Sequence, residues 1–122
     1  MRVVNVENLI RNVKEMCIEA NHFLTDDMNQ ALKRAADAEK SPLGKKILCQ
    51  LQDNLDIAAK DQIPICQDTG MAVLFVEIGQ DVHVEGGFIT DAVNEGVRQG
   101  YREGYLRKSV VDDPIIRNNT GD

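Results

Sequence analysis

The fold is organised around the stretch Ile63-Pro64-Ile65-Cys66-Gln67-Asp68-Thr69-Gly70, which leads into the apolar run Met71-Ala72-Val73-Leu74-Phe75-Val76. Pro64 biases the residue before it toward extended backbone and has no N–H to donate to a neighbouring strand. The Asp-Thr-Gly end of the loop is typical of a turn. The segment from Met71 to Ile78 is apolar and β-branched, which predicts a core strand. Cys66, Gln67 and Asp68 are therefore expected in a loop at the mouth of a strand, where ligands are often bound.

Length and composition predict one domain with an aliphatic core. The chain has 122 residues, of which 43% are apolar and only 4% aromatic. Its net charge of −6 argues against a general nucleic-acid surface. No apolar run is long enough to cross a membrane, and the start lacks a basic-then-apolar signal sequence. Three widely spaced cysteines favour a cytoplasmic protein over a disulfide scaffold.

Three helices are predicted before the cysteine loop. Their candidate N-caps are Asn5, Thr25 and Ser41, the last followed by proline at the first helical position. Apolar residues recur at three- and four-residue steps in each helix, as expected for stripes that face a core. The stripes are Val6, Leu9, Ile10, Val13, Met16, Cys17 and Ala20, then Met28, Ala31, Leu32, Ala35 and Ala36, then Leu43, Ile47, Leu48, Leu51, Leu55 and Ala58.

A hairpin and a fourth helix are predicted after the loop. Residues 79–81 (Gly-Gln-Asp) indicate a hairpin turn, and residues 82–85 a short partner strand that ends at Gly86-Gly87. Thr90 is the candidate cap of the fourth helix. We therefore expect an α+β fold, with amino-terminal helices packed on a small sheet that contains a β-hairpin, followed by a glycine-rich helix.

The fourth helix carries glycines four residues apart, at Gly96, Gly100 and Gly104. Each costs roughly 1 kcal/mol relative to alanine inside a helix. This spacing predicts that another element approaches the helix backbone closely. The alternative is a helix that ends near Gly100.

The cysteine loop resembles the cluster-binding signature of the iron–sulfur hydro-lyases, the family of class I fumarate hydratases and L-tartrate dehydratases. The resemblance continues through residues 79–87 (GQDVHVEGG), 94–101 (NEGVRQGY) and 106–109 (LRKS). These motifs in this order are strongly specific and cover most of the chain. They imply that residues 1–122 form one domain, the amino-terminal part of the alpha-type catalytic region. Residues 1–60 would be helical, and residues 63–122 would hold the cluster loop, hairpin, helix and arginine loop.

The resemblance implies a [4Fe–4S] cluster held by three thiolates, of which Cys66 supplies one. The iron without a thiolate acts as a Lewis acid on the hydroxyl and carboxylate of the substrate. From the residues alone, Cys66 could also be a buried structural cysteine, although its polar neighbours argue against deep burial. We interpret Cys17 as a packing residue, and Cys49 lies off the stripe of its helix. In the family the other two ligands lie further along a region more than twice this length.

The resemblance also implies roles for the residues near Cys66 and after the fourth helix. Gln67 and Asp68 would contact the substrate, and Asp68 would also orient or activate the group that removes the substrate proton. Arg107 would bind a substrate carboxylate, since a guanidinium can donate two parallel N–H bonds. Lys108 is a weaker candidate. From the residues alone, Gln67 and Asp68 could serve only the turn, and Arg107 could be an exposed arginine after a helix.

The two histidines, His22 and His83, are candidate metal ligands. His83 alternates with valines and is expected to face away from the core, and His22 ends the first helix. Both are interpreted as structural or solvent-facing residues. Cys66 with His83 could form half a zinc site, but no second pair stands at zinc-like spacing.

The predicted function is reversible hydration of fumarate to L-malate, with L-tartrate dehydration as the alternative. The expected partners are a four-carbon dicarboxylate and a beta-type subunit or domain, in a homo- or hetero-oligomer, with no nucleic acid or membrane. The chain alone is expected to be inactive. A hypothesis of another class is a non-catalytic docking module that uses the helical front and the glycine face. The substitution Gly100→Leu would then change the association with the partner.

Overall fold

The computed structural model describes residues 1–121, so Asp122, the last residue of the predicted domain, lies outside the described residues. The element order confirms the α+β class. The elements are β1 (Arg2–Asn5), α1 (Val6–His22), α2 (Asp26–Ala38), α3 (Pro42–Asp61), β2 (Val82–Glu85) and α4 (Ile89–Glu103). Within residues 1–121, no helix has the length and apolar character needed to cross a membrane.

The chain divides into two compact units. The first is Met1–Glu19 together with the chain from Gln67 onward, and the second is Ala20–Cys66. The first unit holds the small sheet, most of α1 and α4, and the second holds α2 and α3.

The sheet of the first unit joins the two strands in parallel, with Arg2 opposite Val82 and Asn5 opposite Glu85. The predicted hairpin is therefore wrong. Its turn does form, since the Val82 N–H donates to the Gly79 carbonyl at 3.0 Å. However, β2 pairs with β1, a four-residue strand that we did not predict. A local turn signal cannot reveal a partner that lies so far away in the sequence.

The segment from Met71 to Ile78 is not a core strand, so that prediction is also wrong. It belongs to no strand of the described chain, and Phe75 is 95% exposed. Apolar, β-branched composition shows that a segment suits a covered, pleated surface, but it supplies no partner. No described strand pairs with this segment, and its side chains are exposed except for those of Ala72 and Leu74, which are half-buried.

Helix α1 begins where the sequence predicts. The Asn5 Oδ1 atom accepts a bond from the Glu7 N–H at 2.8 Å, which caps the helix. Val6 and Val13 are buried, whereas Met16, which we placed on the same stripe, is 53% exposed. The helix ends at His22, as predicted.

The glycine spacing matches a close contact between α4 and α1. A Cβ atom on Gly96 would lie 2.7 Å from the Val13 Cβ, and one on Gly100 would lie 2.8 Å from the Cys17 Cβ. Helix α4 continues to Glu103, so the alternative of an end near Gly100 is wrong. The docking hypothesis is wrong for this face, because α1 already covers it.

The start of α4 differs from the prediction by a few residues. Thr90 is not the N-cap. The helix begins at Ile89 after Phe88, whose side chain makes no capping bond. Gly86, with φ of +95°, turns the chain out of β2. Only residues 86–88 separate the end of β2 from the start of α4.

In the second unit, α2 and α3 pack against each other. Ala36 and Ala58 are buried, whereas the α3 stripe residues Leu43, Ile47 and Leu51 are exposed, against expectation. A periodic stripe predicts which side chains share a face, but that face is buried only where another element covers it. His22 is only 4% exposed and therefore does not face solvent.

The N-caps of α2 and α3 differ. The Ser41 Oγ accepts a bond from the Gly44 N–H at 3.3 Å, with Pro42 at the start of the helix. Thr25 occupies the N-cap of α2, but its side chain caps no backbone N–H. Instead it bonds to the carboxylate of Asp27 and lowers the pKa of that carboxyl.

We expect Ser41→Ala to lower the free energy of unfolding of the second unit by about 1 kcal/mol, because it leaves a helix N–H without its capping acceptor. Thr25→Ala is the matched control, and its effect should be smaller. Urea unfolding followed by circular dichroism measures both. Equal losses in the two variants would contradict this assignment of the caps.

Candidate functional site

The loop that follows Cys66 is held by a turn of its own. The Asp68 Oδ1 accepts a bond from the Gly70 N–H at 3.1 Å, and Gly70 has φ of +62°. Asp68 therefore does serve the turn, as the residue types alone suggested. The side chains of Gln67 and Asp68 are both exposed. A role in the turn leaves Asp68 at the surface, where a substrate could reach it.

A threonine joins this loop to Arg107. The Thr69 Oγ1 accepts a bond from the Arg107 N–H at 2.9 Å and donates to the Arg107 carbonyl at 3.2 Å. The two residues are 38 positions apart in the sequence. The Arg107 side chain is exposed. The structure thus brings Arg107 to the loop that contains Gln67 and Asp68.

Tyr101, near the end of α4, supports the same loop from inside the first unit. Its hydroxyl lies 3.2 Å from both the Thr69 and the Gly70 carbonyl oxygens and donates to them. Tyr101 is only 3% exposed, and burial raises the pKa of its hydroxyl, with Cys17 as a lesser cause. The hydroxyl therefore keeps its proton at neutral pH and stays a donor.

The chain just before Cys66 is fixed within the second unit. The Ile65 N–H donates to the Asn21 carbonyl at 2.9 Å, and the Asn54 side-chain amide donates to the Ile65 carbonyl at 2.9 Å. Both backbone groups of Ile65 are thus bonded. The side chain of Cys66 is exposed, so the expectation against deep burial is confirmed.

The other candidate metal ligands are Cys17, Cys49 and His83. Cys17 is half-buried, and burial raises the pKa of its thiol, which disfavours the thiolate. Cys49 is exposed on α3, and His83 is exposed on β2, as expected. Within residues 1–121, no three His, Cys, Asp or Glu side chains gather in a way that could hold a metal ion.

Sequence reasoning missed Thr69 and Tyr101 as residues that build this site. Thr69 was noted only as a turn former, and nothing near it in the sequence points to Arg107. Tyr101 bonds to a carbonyl 32 positions away. The only signal was that both residues lie inside the motifs quoted above. Their bonds became visible only when the loop and the end of α4 were placed side by side.

Comparison with known protein families decides the class of this chain. A family model described as Fumarate hydratase (Fumerase) matches residues 10–122. The chain belongs to the fumarate hydratase family. The predicted resemblance to the hydro-lyases is therefore confirmed.

Individual relatives of this fumarate hydratase family member carry tartrate dehydratase names. A Methanocaldococcus jannaschii protein, provisionally named L(+)-tartrate dehydratase subunit alpha, is 36% identical over 108 residues, which cover 88% of this chain and 38% of the relative. The L(+)-tartrate dehydratase subunit alpha of Escherichia coli K12 is 32% identical over 101 residues, which cover 80% of this chain and 33% of the relative. The matched part of the chain thus spans only 33–38% of the length of these relatives.

Proposed function

We propose that this chain forms the amino-terminal part of the alpha-type catalytic region of a hydro-lyase that adds water to, or removes water from, a four-carbon dicarboxylate. The observation that carries the proposal is the pair of bonds between Thr69 and Arg107, which holds the backbone of Arg107, a residue with an exposed side chain, beside the loop of Gln67 and Asp68. Membership of the fumarate hydratase family supports the reaction class.

Arg107 is proposed to bind one carboxylate of the substrate. A guanidinium suits a planar carboxylate because it offers parallel N–H donors, and it stays charged at all relevant pH values. The chain as a whole carries a net charge of −6, so a dianionic substrate needs locally gathered positive charge. Arg107 with the neighbouring exposed Lys108 supplies it.

Gln67 and Asp68 are proposed to contact the rest of the substrate. The Gln67 amide both donates and accepts hydrogen bonds, so it suits a hydroxyl or a carboxylate. Asp68 is proposed to orient or activate the group that takes the substrate proton. That group would come from another part of the assembly.

Cys66 is proposed as one thiolate ligand of a [4Fe–4S] cluster. Its exposed side chain and the fixed backbone of Ile65 before it fit this role. The described residues hold no complete set of donors, so the other ligands would come from the rest of the alpha-type region. When bound, the cluster would supply an iron that acts as a Lewis acid toward a substrate oxygen. The chain by itself is therefore proposed to be inactive.

Fumarate hydration is the primary proposal for the substrate, and L-tartrate dehydration is the second candidate. The family description favours the first, and the names of the relatives favour the second. Since those relatives are named alpha subunits, we propose a beta-type subunit or domain as partner, in a homo- or hetero-oligomer. A cytoplasmic location is part of the proposal, in line with three widely spaced cysteines.

The test is Arg107→Ala in the assembled enzyme, meaning the chain together with the alpha- and beta-type parts that complete it. We expect dicarboxylate binding to weaken by roughly 2–5 kcal/mol, because the substrate carboxylate loses its charged partner. Steady-state kinetics with fumarate and with L-tartrate measure the change in KM. Arg34→Ala, which removes an exposed arginine of α2, is the matched control and should leave KM unchanged. An unchanged KM in Arg107→Ala would overturn the assignment.

A further inference from the structure

We propose that Thr69 is a positioning residue whose hydroxyl sets the place of Arg107 relative to Gln67 and Asp68. This inference rests on the proposed function, because it takes Arg107 as the residue that binds the substrate carboxylate. It adds a determinant of that binding which does not itself touch the substrate.

The Thr69 side chain makes two hydrogen bonds to the backbone of Arg107. One hydroxyl accepts from the Arg107 N–H at 2.9 Å and donates to the Arg107 carbonyl at 3.2 Å. Threonine hydroxyls usually bond to backbone groups a few residues away, whereas this pair spans 38 positions. Two bonds to the same residue fix both the position and the orientation of its backbone. The Arg107 side chain therefore starts from a fixed point beside the loop.

The backbone of Thr69 is itself held in place by Tyr101. The buried Tyr101 hydroxyl donates to the Thr69 and Gly70 carbonyl oxygens. Tyr101 belongs to α4, which packs on α1 through Gly96 and Gly100. The Leu106 N–H donates to the Tyr101 carbonyl at 3.0 Å, which fixes the residue before Arg107 as well. The loop and the residue before Arg107 are therefore both bonded to Tyr101 of α4.

A dicarboxylate substrate requires binding groups at both of its ends. In fumarate the trans double bond holds the two carboxylates at a fixed separation, so groups that bind its opposite ends must keep a fixed spacing. A displacement of about 1 Å at such a site can cost about 100-fold in rate. A hydroxyl that bonds both backbone groups of Arg107 prevents this displacement. Valine has the shape of threonine but cannot make either bond, whereas serine can make both.

The experiment compares Thr69→Val with Thr69→Ser in the assembled enzyme, using a four-carbon dicarboxylate as substrate. We expect Thr69→Val to raise KM about tenfold, because Arg107 moves relative to the loop. Thr69→Ser should stay within about twofold of the parent, because a serine hydroxyl both donates and accepts. Thr90→Val makes the same change on an exposed threonine of α4 and should have no effect. Tyr101→Phe, which removes the bonds to the loop carbonyls, should also raise KM, as Thr69→Val does.

A double substitution separates positioning from a general structural role. If Thr69 acts through Arg107, Thr69→Val should leave KM unchanged once Arg107 is already alanine, since contacts that work as a unit are not additive. Amide hydrogen exchange gives a readout that needs no substrate. The Arg107 amide should exchange faster in Thr69→Val but not in Thr69→Ser.

The outcomes distinguish this inference from the proposed function. If Arg107→Ala raises KM but Thr69→Val does not, the positioning role of Thr69 is wrong and the proposed role of Arg107 stands. Independent effects of the two substitutions, or a serine variant as impaired as the valine variant, would also overturn that role. If Arg107→Ala leaves KM unchanged, the proposed function loses its substrate-binding residue, and the positioning role falls with it.

Discussion

Replacing Cys66 by serine in the assembled enzyme is expected to abolish both iron–sulfur content and hydro-lyase activity. Thiolates are the usual protein ligands of such clusters, and the serine hydroxyl keeps its proton at neutral pH. Iron and sulfide analysis after anaerobic reconstitution measures the first effect, and fumarate and L-tartrate turnover measure the second. Cys49→Ser is the matched control, since it makes the same change on another exposed cysteine, and it should retain both properties.

The same assay on the isolated chain tests how complete the site is. With one suitable thiolate and no described group of three donors, the 122-residue chain alone should contain almost no iron. Wild-type iron content and activity in Cys66→Ser would contradict the assignment of Cys66 as a cluster ligand. A stoichiometric cluster in the isolated chain would show that Cys17, Cys49 or a second copy completes the site.

Replacing Gly96 by leucine is expected to prevent the first unit from folding. A Cβ atom at Gly96 would already lie 2.7 Å from the Val13 Cβ and 2.8 Å from the backbone carbonyl of Ile10. Leucine adds three more carbons at a place where α1 cannot yield without moving its backbone. Gly96→Ala should be milder and cost about 1–3 kcal/mol through overpacking, partly offset by about 1 kcal/mol of better helix propensity.

Gly44→Ala is the matched control, because the nominal crowding is similar but the neighbour differs. A Cβ atom at Gly44 would lie 2.8 Å from the Glu39 Cδ, which belongs to a flexible side chain that can turn away by giving up its one bond from the Ser41 N–H. We expect this variant to be neutral or to gain up to about 1 kcal/mol. Urea unfolding measures all three variants. Wild-type stability in Gly96→Leu would show that α1 and α4 do not depend on this close approach.

Local signals predicted the helices well, because a helix is specified by neighbours in the sequence. Asn5 and Ser41 cap their helices as expected, and α1 ends at His22. The glycine spacing predicted a close neighbour for α4, although not that the neighbour is α1. A glycine at every fourth helical position is informative, because each one lowers the stability of the helix and another interaction must offset that loss.

Contacts between distant parts of the chain could not be predicted in this way. The turn at residues 79–81 was recognised, but the partner of β2 proved to be β1, which pairs in parallel from the other end of the sequence. For the same reason the residue types alone left Arg107 as an exposed arginine, and only the family resemblance raised it to a site residue. Its link to the loop depends on a threonine hydroxyl 38 positions away.

The exposed segment that follows the cysteine loop has a consequence for how this chain behaves in isolation. Residues 71–76 combine β-branched and aromatic side chains with no charge, proline or glycine, and no described strand covers them. Six-residue segments of this kind are prone to stack into cross-β aggregates when they are displayed on an unpaired edge. The net charge of −6 opposes this by mutual repulsion, and added salt screens that repulsion. The isolated chain should therefore be handled dilute and at low ionic strength.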